Sequence, residues 1–349
     1  MRPTNAWMSI DGDTTLRRVR IERRDLREND LAVRVDYCGV CHSDLHRIGG
    51  LLGEKDIVPG HEFTGTVTAV GDAVTGFAVG DRVAVGTIVD SCGECAMCRA
   101  GQENYCYEGP TSTYGGTDRI DGSKTQGGYS REYVVRDRFA YRLPDALDPA
   151  GAAPLMCAGI TVWEPLRAAG IGSGGKVAVA GLGGLGHLGV KLAAALGAEV
   201  TVLSRTPDKA DDARKLGATD LLVTTDEAQT RAARGRFDLI LDTIPVAHDL
   251  MPLVHMAALD GTVCVLGHPF PQQINIMELS RGRKNLTGSG TGGRRYTPDL
   301  LHFAAEHGIT ADIELLPSSH VNEALARLGR GDVRYRFVLD NSDLDEPAE

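Results

Sequence analysis

No stretch of the chain approaches about eighteen consecutive apolar residues, so nothing in it reads as a membrane-spanning helix. The opening residues, Met1-Arg2-Pro3-Thr4-Asn5, lack the apolar core that a secretion signal needs. Positive charge is in deficit: 37 Lys and Arg against 47 Asp and Glu give a net charge of −10. A surface of that sign repels phosphate backbones, which argues against a nucleic-acid partner. Cysteine is too sparse for a disulfide scaffold, at eight in 349 residues. Without a secretion signal, clustered thiols point to metal ligation or catalysis rather than bridges. The expectation is a soluble, cytoplasmic protein with no membrane and no nucleic-acid partner.

What is present fits two domains. Hydrophobic content of 42% and charged content of 24% are ordinary for globular protein, and the length allows two cores. Up to residue 150 the pattern is one of short strands with glycine between them. Leu31–Tyr37 alternates with period two, Phe63–Val70 is β-branched and ends at Gly71-Asp72, and Asp81–Val85 and Tyr129–Val135 continue the series. This predicts a compact, barrel-like β domain. Residues 91–128 are polar and glycine-rich, and a loop of that length needs a staple or a function. From residue 151 to 287 strands alternate with helices: Lys176–Ala180, Glu199–Leu203, Leu221–Val223, Phe237–Leu241 and Thr262–Leu266 as strands, Leu185–Leu196 as a helix. That is the grammar of an α/β, doubly wound parallel sheet. After Gly288–Gly293, residues 288–349 hold two helices, a last strand at Tyr335–Leu339, and an acidic tail from Asn341 expected to fray.

Gly181-Leu182-Gly183-Gly184-Leu185-Gly186 lies directly between a strand and a helix. In a G-x-G-x-x-G of this setting the first glycine permits the turn, the second admits a pyrophosphate, and the third lets helix and strand pack closely. The helix start then offers amide donors to the phosphates. The acid that would bind the ribose hydroxyls of NAD, about twenty residues on, is missing. Its place reads Leu203-Ser204-Arg205, with Lys209 a turn later. Ser204 can hydrogen-bond a 2′-phosphate and Arg205 can clamp it, which points to NADP(H).

Cys92-x-x-Cys95-x-x-Cys98 with Cys106 beyond can give four thiolates to one tetrahedral ion, a closed and therefore structural site. An iron–sulfur cluster is the chemical rival. A catalytic zinc needs about three protein ligands and an exchangeable position. Cys38, His61 and Cys157 can supply two sulfurs and a nitrogen, with Glu62 able to approach as a transient ligand. Cys264, in an apolar strand, reads as core.

Taken together, Cys38-Gly39-Val40-Cys41-His42-Ser43-Asp44, Gly60-His61-Glu62, the Cys92–Cys106 loop, Gly127-Gly128-Tyr129, Cys157-Ala158-Gly159-Ile160-Thr161, Gly181–Gly186 and Ile309–Glu314 resemble a zinc-dependent medium-chain alcohol dehydrogenase, most of all its cinnamyl alcohol dehydrogenase branch. The resemblance runs from about residue 30 to residue 340. It implies a GroES-like catalytic domain (1–150, completed by 288–349) around a Rossmann NADP-binding domain (151–287), with two zinc ions per chain. By the same resemblance Cys38, His61 and Cys157 are the catalytic zinc ligands with Glu62 beside them, while Cys41 is not a ligand. Asp44 orients the ligand histidine, Ser43 hydrogen-bonds the alcohol oxygen, His46 ends a proton relay, and His42 contacts the cofactor pyrophosphate. Homodimers or homotetramers are the family's assemblies. Ile88 and Trp163 either line the substrate pocket or belong to the ordinary core.

The implied reaction interconverts primary alcohols and aldehydes, aromatic or aliphatic, over a broad range. The zinc polarises the oxygen and the nicotinamide exchanges the hydride. Three rival readings remain. A polyol dehydrogenase is disfavoured by Ser204-Arg205. A zinc-free quinone or enone reductase would not need the metal ligands. A zinc-ribbon module holding a regulatory nucleotide would leave Cys38, His61, Glu62 and Cys157 without a purpose.

Overall fold

The computed structural model describes residues 1–48, 55–267 and 273–346. The chain divides into two compact units, 1–157 with 292–349, and 158–291. The breaks therefore fall at 157/158 and 291/292, not at 150/151 and 287/288. The first boundary moves because the turn Ala153–Met156 packs against the β strands of the first unit and keeps Cys157 with them.

The first unit opens with an antiparallel pair, β1 (Arg2–Met8) and β2 (Arg17–Arg23). Then come β3 (Asp30–Val40), β4 (Phe63–Val70), β5 (Arg82–Val85), β6 (Ile88–Asp90), β7 (Thr111–Ser112), β8 (Glu132–Arg136) and β9 (Ala140–Arg142). The longest of these, β3, organises the unit by pairing antiparallel with both β4 and β8. Its branched side chains Val33, Val35 and Val40 are fully buried with Phe63, Tyr129 and Tyr133 in one apolar core. Burial of such side chains stabilises by about 1.5–3 kcal/mol each.

The second unit is a parallel sheet of β10 (Lys176–Ala180), β11 (Glu199–Ser204), β12 (Asp220–Val223), β13 (Phe237–Asp242), β14 (Ala257–Val265) and β15 (Asn285–Gly288). Their spatial order is β12-β11-β10-β13-β14-β15, reversing direction between β10 and β13. That reversal is the doubly wound arrangement, with its ligand crevice at the carboxyl ends of the strands. The strands read as continuous apolar runs because both faces of a parallel sheet are covered.

The chain then returns to the first unit with β16 (Ile313–Pro317) and β17 (Arg336–Asp340). The helix Thr297–His307 before β16 stops at Gly308, whose φ of 63° closes it in the left-handed region. β17 pairs antiparallel with β3, setting Phe337 opposite Val40 and Leu339 opposite Cys38. The tail does not fray as far as residue 346. Asn341–Asp345 forms a helical turn in which Asn341 donates to the carbonyls of Gly128 (2.9 Å) and Ser130 (3.1 Å), and Leu344 is buried.

Candidate metal centres and nucleotide cradle

Three segments of the first unit converge at the end of β3. Past Val40 the strand gives way to Cys41 and the short helix His42–Arg47. His61 and Glu62 lie just ahead of β4, and Cys157 follows the turn Ala153–Met156. The sulfurs of Cys41 and Cys157 are 4.0 Å apart and Nε2 of His61 is 3.2 Å from the Cys157 sulfur. All three donor atoms lie within 4.8 Å of one another. Sulfurs bound at about 2.3 Å to a tetrahedral ion stand about 3.8 Å apart, so the spacing fits zinc.

This corrects the expected ligand set: Cys41 joins His61 and Cys157, and Cys38 does not. Cys38 points from β3 into the apolar core beside Val40, Phe63 and Tyr129, and burial pushes its thiol well above the ordinary range. Glu62 is also outside the donor group. Its Oε1 is held in a buried ion pair by Arg336, which β17 places one residue past the Val40–Phe337 pairing, while Oε2 has no hydrogen-bond partner among the described residues. Burial raises Glu62 to about 7 against the pull of Arg336. Arg336 carries no signal in the sequence, because only the β3–β17 pairing brings it to the site.

His61 is oriented from behind, with its Nδ1 3.1 Å from Oδ1 of the fully buried Asp44. Burial disfavours the imidazolium, but the charge and hydrogen bond of Asp44 outweigh it and hold His61 well above its usual value. Cys41 and Cys157 share a hydrogen bond, so one thiol of the pair is drawn down and the other pushed up. Two adjacent thiols cannot both ionise without a cation to hold them. Ser43 brings its hydroxyl to 3.8 Å from the Cys41 sulfur. His46 is exposed one turn along, its ring 6.4 Å from that of the exposed His42. Ile88 is buried in the core of the first unit, and Trp163 is fully buried in the helix Ala158–Ala168 of the second.

Cys92, Cys95, Cys98 and Cys106 form a second donor group within 4.8 Å. The Cys92–Cys98 and Cys95–Cys98 sulfurs are 3.7 and 3.5 Å apart, again the spacing of a tetrahedral thiolate site. Backbone amides bring Cys95 down to about 6, while burial pushes Cys98 up to about 12. Four sulfur donors leave no position for a substrate, which suits a staple for the long loop.

In the second unit the glycine loop joins β10 to the helix Gly184–Ala195. Gly181 has a φ of 89°, and a Cβ at Gly186 would overlap the Gly181 carbonyl oxygen, so both positions require glycine. Nothing lies within 4 Å of a Cβ built on Gly183, which leaves that edge open to a ligand. Gly184 and Leu185 start the helix. Ser204 ends β11, Arg205 is exposed beyond it, and Lys209 reaches back to the Leu182 carbonyl at 3.2 Å.

Residues 27–145 match the family model for the alcohol dehydrogenase GroES-like domain, and residues 184–306 match that for zinc-binding dehydrogenases. The chain is 47% identical over 330 residues to a probable formaldehyde dehydrogenase of Bacillus subtilis, covering 93% of each. It is 44% identical over 347 residues to an NADP-dependent alcohol dehydrogenase of Mycobacterium bovis, covering 99% of this chain and all of that one. A solved cinnamyl alcohol dehydrogenase of Sorghum bicolor superposes with a TM-score of 0.94 at 41% identity, covering 99% of this chain and 100% of that one. The chain belongs to the zinc-dependent medium-chain alcohol dehydrogenases, on their cinnamyl alcohol dehydrogenase-like branch.

Proposed function

We propose that the protein interconverts primary alcohols and aldehydes with NADP(H), over a broad range of aromatic and aliphatic substrates. The observation that carries this is the buried donor triangle of Cys41, His61 and Cys157, which would hold a zinc and leave one coordination position for substrate. A zinc there supplies Lewis acidity to the substrate oxygen, and the nicotinamide supplies or accepts the hydride. Asp44 keeps the Nδ1–H of His61 on its carboxylate, so that Nε2 faces the metal. Ser43, whose hydroxyl lies 3.8 Å from the Cys41 sulfur, exchanges the hydroxyl proton in this reading, and exposed His46 passes it to solvent. Arg336 neutralises Glu62 and keeps its charge from opposing the thiolates. In the nucleotide cradle, Gly181, Gly183 and Gly186 admit the pyrophosphate and Ser204 and Arg205 take the 2′-phosphate, with Lys209 bracing the loop. Cys92, Cys95, Cys98 and Cys106 hold a second, structural zinc.

A homodimer or homotetramer in the cytoplasm is the proposed setting. All eight cysteines are free and six sit in two donor groups, as suits a reducing compartment. Metal analysis with NADPH oxidation over an aldehyde panel tests the reading. Two zinc ions per chain are expected, with Cys41→Ala losing one of them and all turnover, and Cys38→Ala keeping both. Full activity in Cys41→Ala would overturn the site.

A further inference from the structure

The carboxylate of Asp44 has no exposed surface, yet it is the acceptor for five donors. Oδ1 receives the Tyr114 hydroxyl at 2.7 Å, Nδ1 of His61 at 3.1 Å and the Gly60 amide at 3.3 Å. Oδ2 receives the Cys41 amide at 2.9 Å and the Tyr129 hydroxyl at 3.0 Å. A carboxylate offers about four lone-pair sites, so this one is saturated. Three of the donors belong to the metal-binding segments themselves. The two phenols do not: Tyr114 follows β7 and Tyr129 precedes β8, and both are buried.

A buried carboxylate needs donors for its oxygens, and those donors also fix where the oxygens stand. Without the two phenols the Asp44 carboxylate would be free to swing, and the His61 imidazole anchored to it through Nδ1 would be free to turn its lone pair away from the thiols. A cation would also hold the charge, but it would oppose binding of a second cation by Cys41 and Cys157. Phenols avoid that conflict, because they donate a hydrogen bond without bringing net charge. Burial and the neighbouring Asp44 push both phenols well above their ordinary value, so they remain donors across the working pH range.

We propose that Tyr114 and Tyr129 are positioning residues for the catalytic metal: their hydroxyls hold the Asp44 carboxylate in place, and through it hold Nε2 of His61 toward the two sulfurs. This rests on the reading of Cys41, His61 and Cys157 as the catalytic zinc site. The hydroxyls act separately from the rings. The Tyr129 ring fills space that a Cβ on Gly60 would otherwise contest, and phenylalanine keeps that packing.

The test is zinc release from the holoenzyme to a chromogenic chelator, followed in wild type, Tyr114→Phe, Tyr129→Phe and the double variant. The four-cysteine zinc serves as the internal control. Loss of a partner behind a metal ligand costs roughly 10–100-fold in affinity or activity. The expected result is release from the catalytic site faster by about tenfold in each single variant and more in the double variant, with the four-cysteine phase unchanged. In an Asp44→Asn background, either Tyr→Phe change should add little, since the effect passes through that carboxylate. Wild-type release in the double variant overturns the proposal, and so do two phases that accelerate together, which mark general loosening. A wild-type protein holding only the four-cysteine zinc overturns the site reading and this inference with it. Two zinc ions with unchanged release overturn the inference alone.

Discussion

Arg205 stands exposed just past β11, beside Ser204 and a turn from Lys209, which reaches the glycine loop. If it clamps a 2′-phosphate, its removal costs a charge-assisted hydrogen bond, about 1.5–3 kcal/mol. Arg205→Ala is therefore expected to raise KM for NADPH by roughly 10- to 150-fold while leaving that for NADH nearly unchanged. Steady-state kinetics with both cofactors decide it, and equal effects would refute the clamp. At the metal site the backbone tells the two thiols of the motif apart. Along β3 the buried positions Val33 and Val35 alternate with the less buried Arg34 and Asp36, and simple continuation puts Cys38 on the outer face. A register irregularity between Val35 and Tyr37 shifts the phase and turns Cys38 inward. Cys41, beyond the strand, is then the thiol free to meet Cys157. Two thiols three residues apart look equivalent in a motif; a bulge separates them.

At the scale of elements, the four-cysteine lobe is clasped to the returning chain. Glu103, fully buried, accepts from the Arg294 amide at 3.0 Å and pairs with its guanidinium at 2.5 Å, while the Arg295 amide donates to the Gly101 carbonyl at 2.8 Å. Arg294→Ala removes the guanidinium from a buried carboxylate and leaves it the backbone amide of residue 294 and Arg138 at 3.6 Å. It is expected to destabilise by about 2–4 kcal/mol, whereas Arg283→Ala, in a pair exposed on both sides, should leave the unfolding temperature nearly unchanged. Thermal unfolding of the two variants compares them directly. A second tie carries a pH signature. Burial alone would raise Asp118, but Arg27 and the amides of Ile120 and Asp121 hold it at about 2. A depressed folded pKa gives stability that is present above the ordinary carboxylate value and lost as pH falls toward 2. Asp118→Asn should cost about 1 kcal/mol at neutral pH and flatten the acid limb of the stability curve between about pH 4 and 2. An unchanged limb would remove Arg27–Asp118 as a fastener of that loop.

The strands of the second unit were legible because parallel strands are uninterrupted apolar runs between glycine turns: Lys176–Ala180 is found as read. In the first unit Phe63–Val70 is also found as read. The β1–β2 pair was not legible, since four of the seven residues of β2 are arginine and only Val19 and Ile21 are apolar. Nor were Arg336, Tyr114 and Tyr129, whose parts depend on pairings between distant segments.

For the whole molecule, two kinds of ligand act on two units. Chelation of both zinc ions is expected to lower the unfolding temperature of the first unit, since bound metal contributes its binding free energy to folding. Saturation with NADP+ at about a hundred times Kd should stabilise by about 2.7 kcal/mol. Calorimetry with each treatment separates them, and no response to NADP+ would refute the nucleotide cradle.

The β3–β17 pairing also sets an order of events during synthesis. Glu62 and Arg336 are 274 residues apart in the chain, a distance that a ribosome covers in about 15–55 s at roughly 5–20 residues per second. Through that interval the Tyr37–Val40 end of β3 lacks its β17 partner, Glu62 has no counter-charge, and the donor triangle lacks Cys157 until that residue emerges. The entire second unit emerges and can fold before the first is closed. A nascent chain would therefore hold all three donors of its catalytic metal site before its nucleotide cradle and gain the Arg336 counter-charge last, and the four-cysteine loop, local in sequence, can capture its ion before any of these.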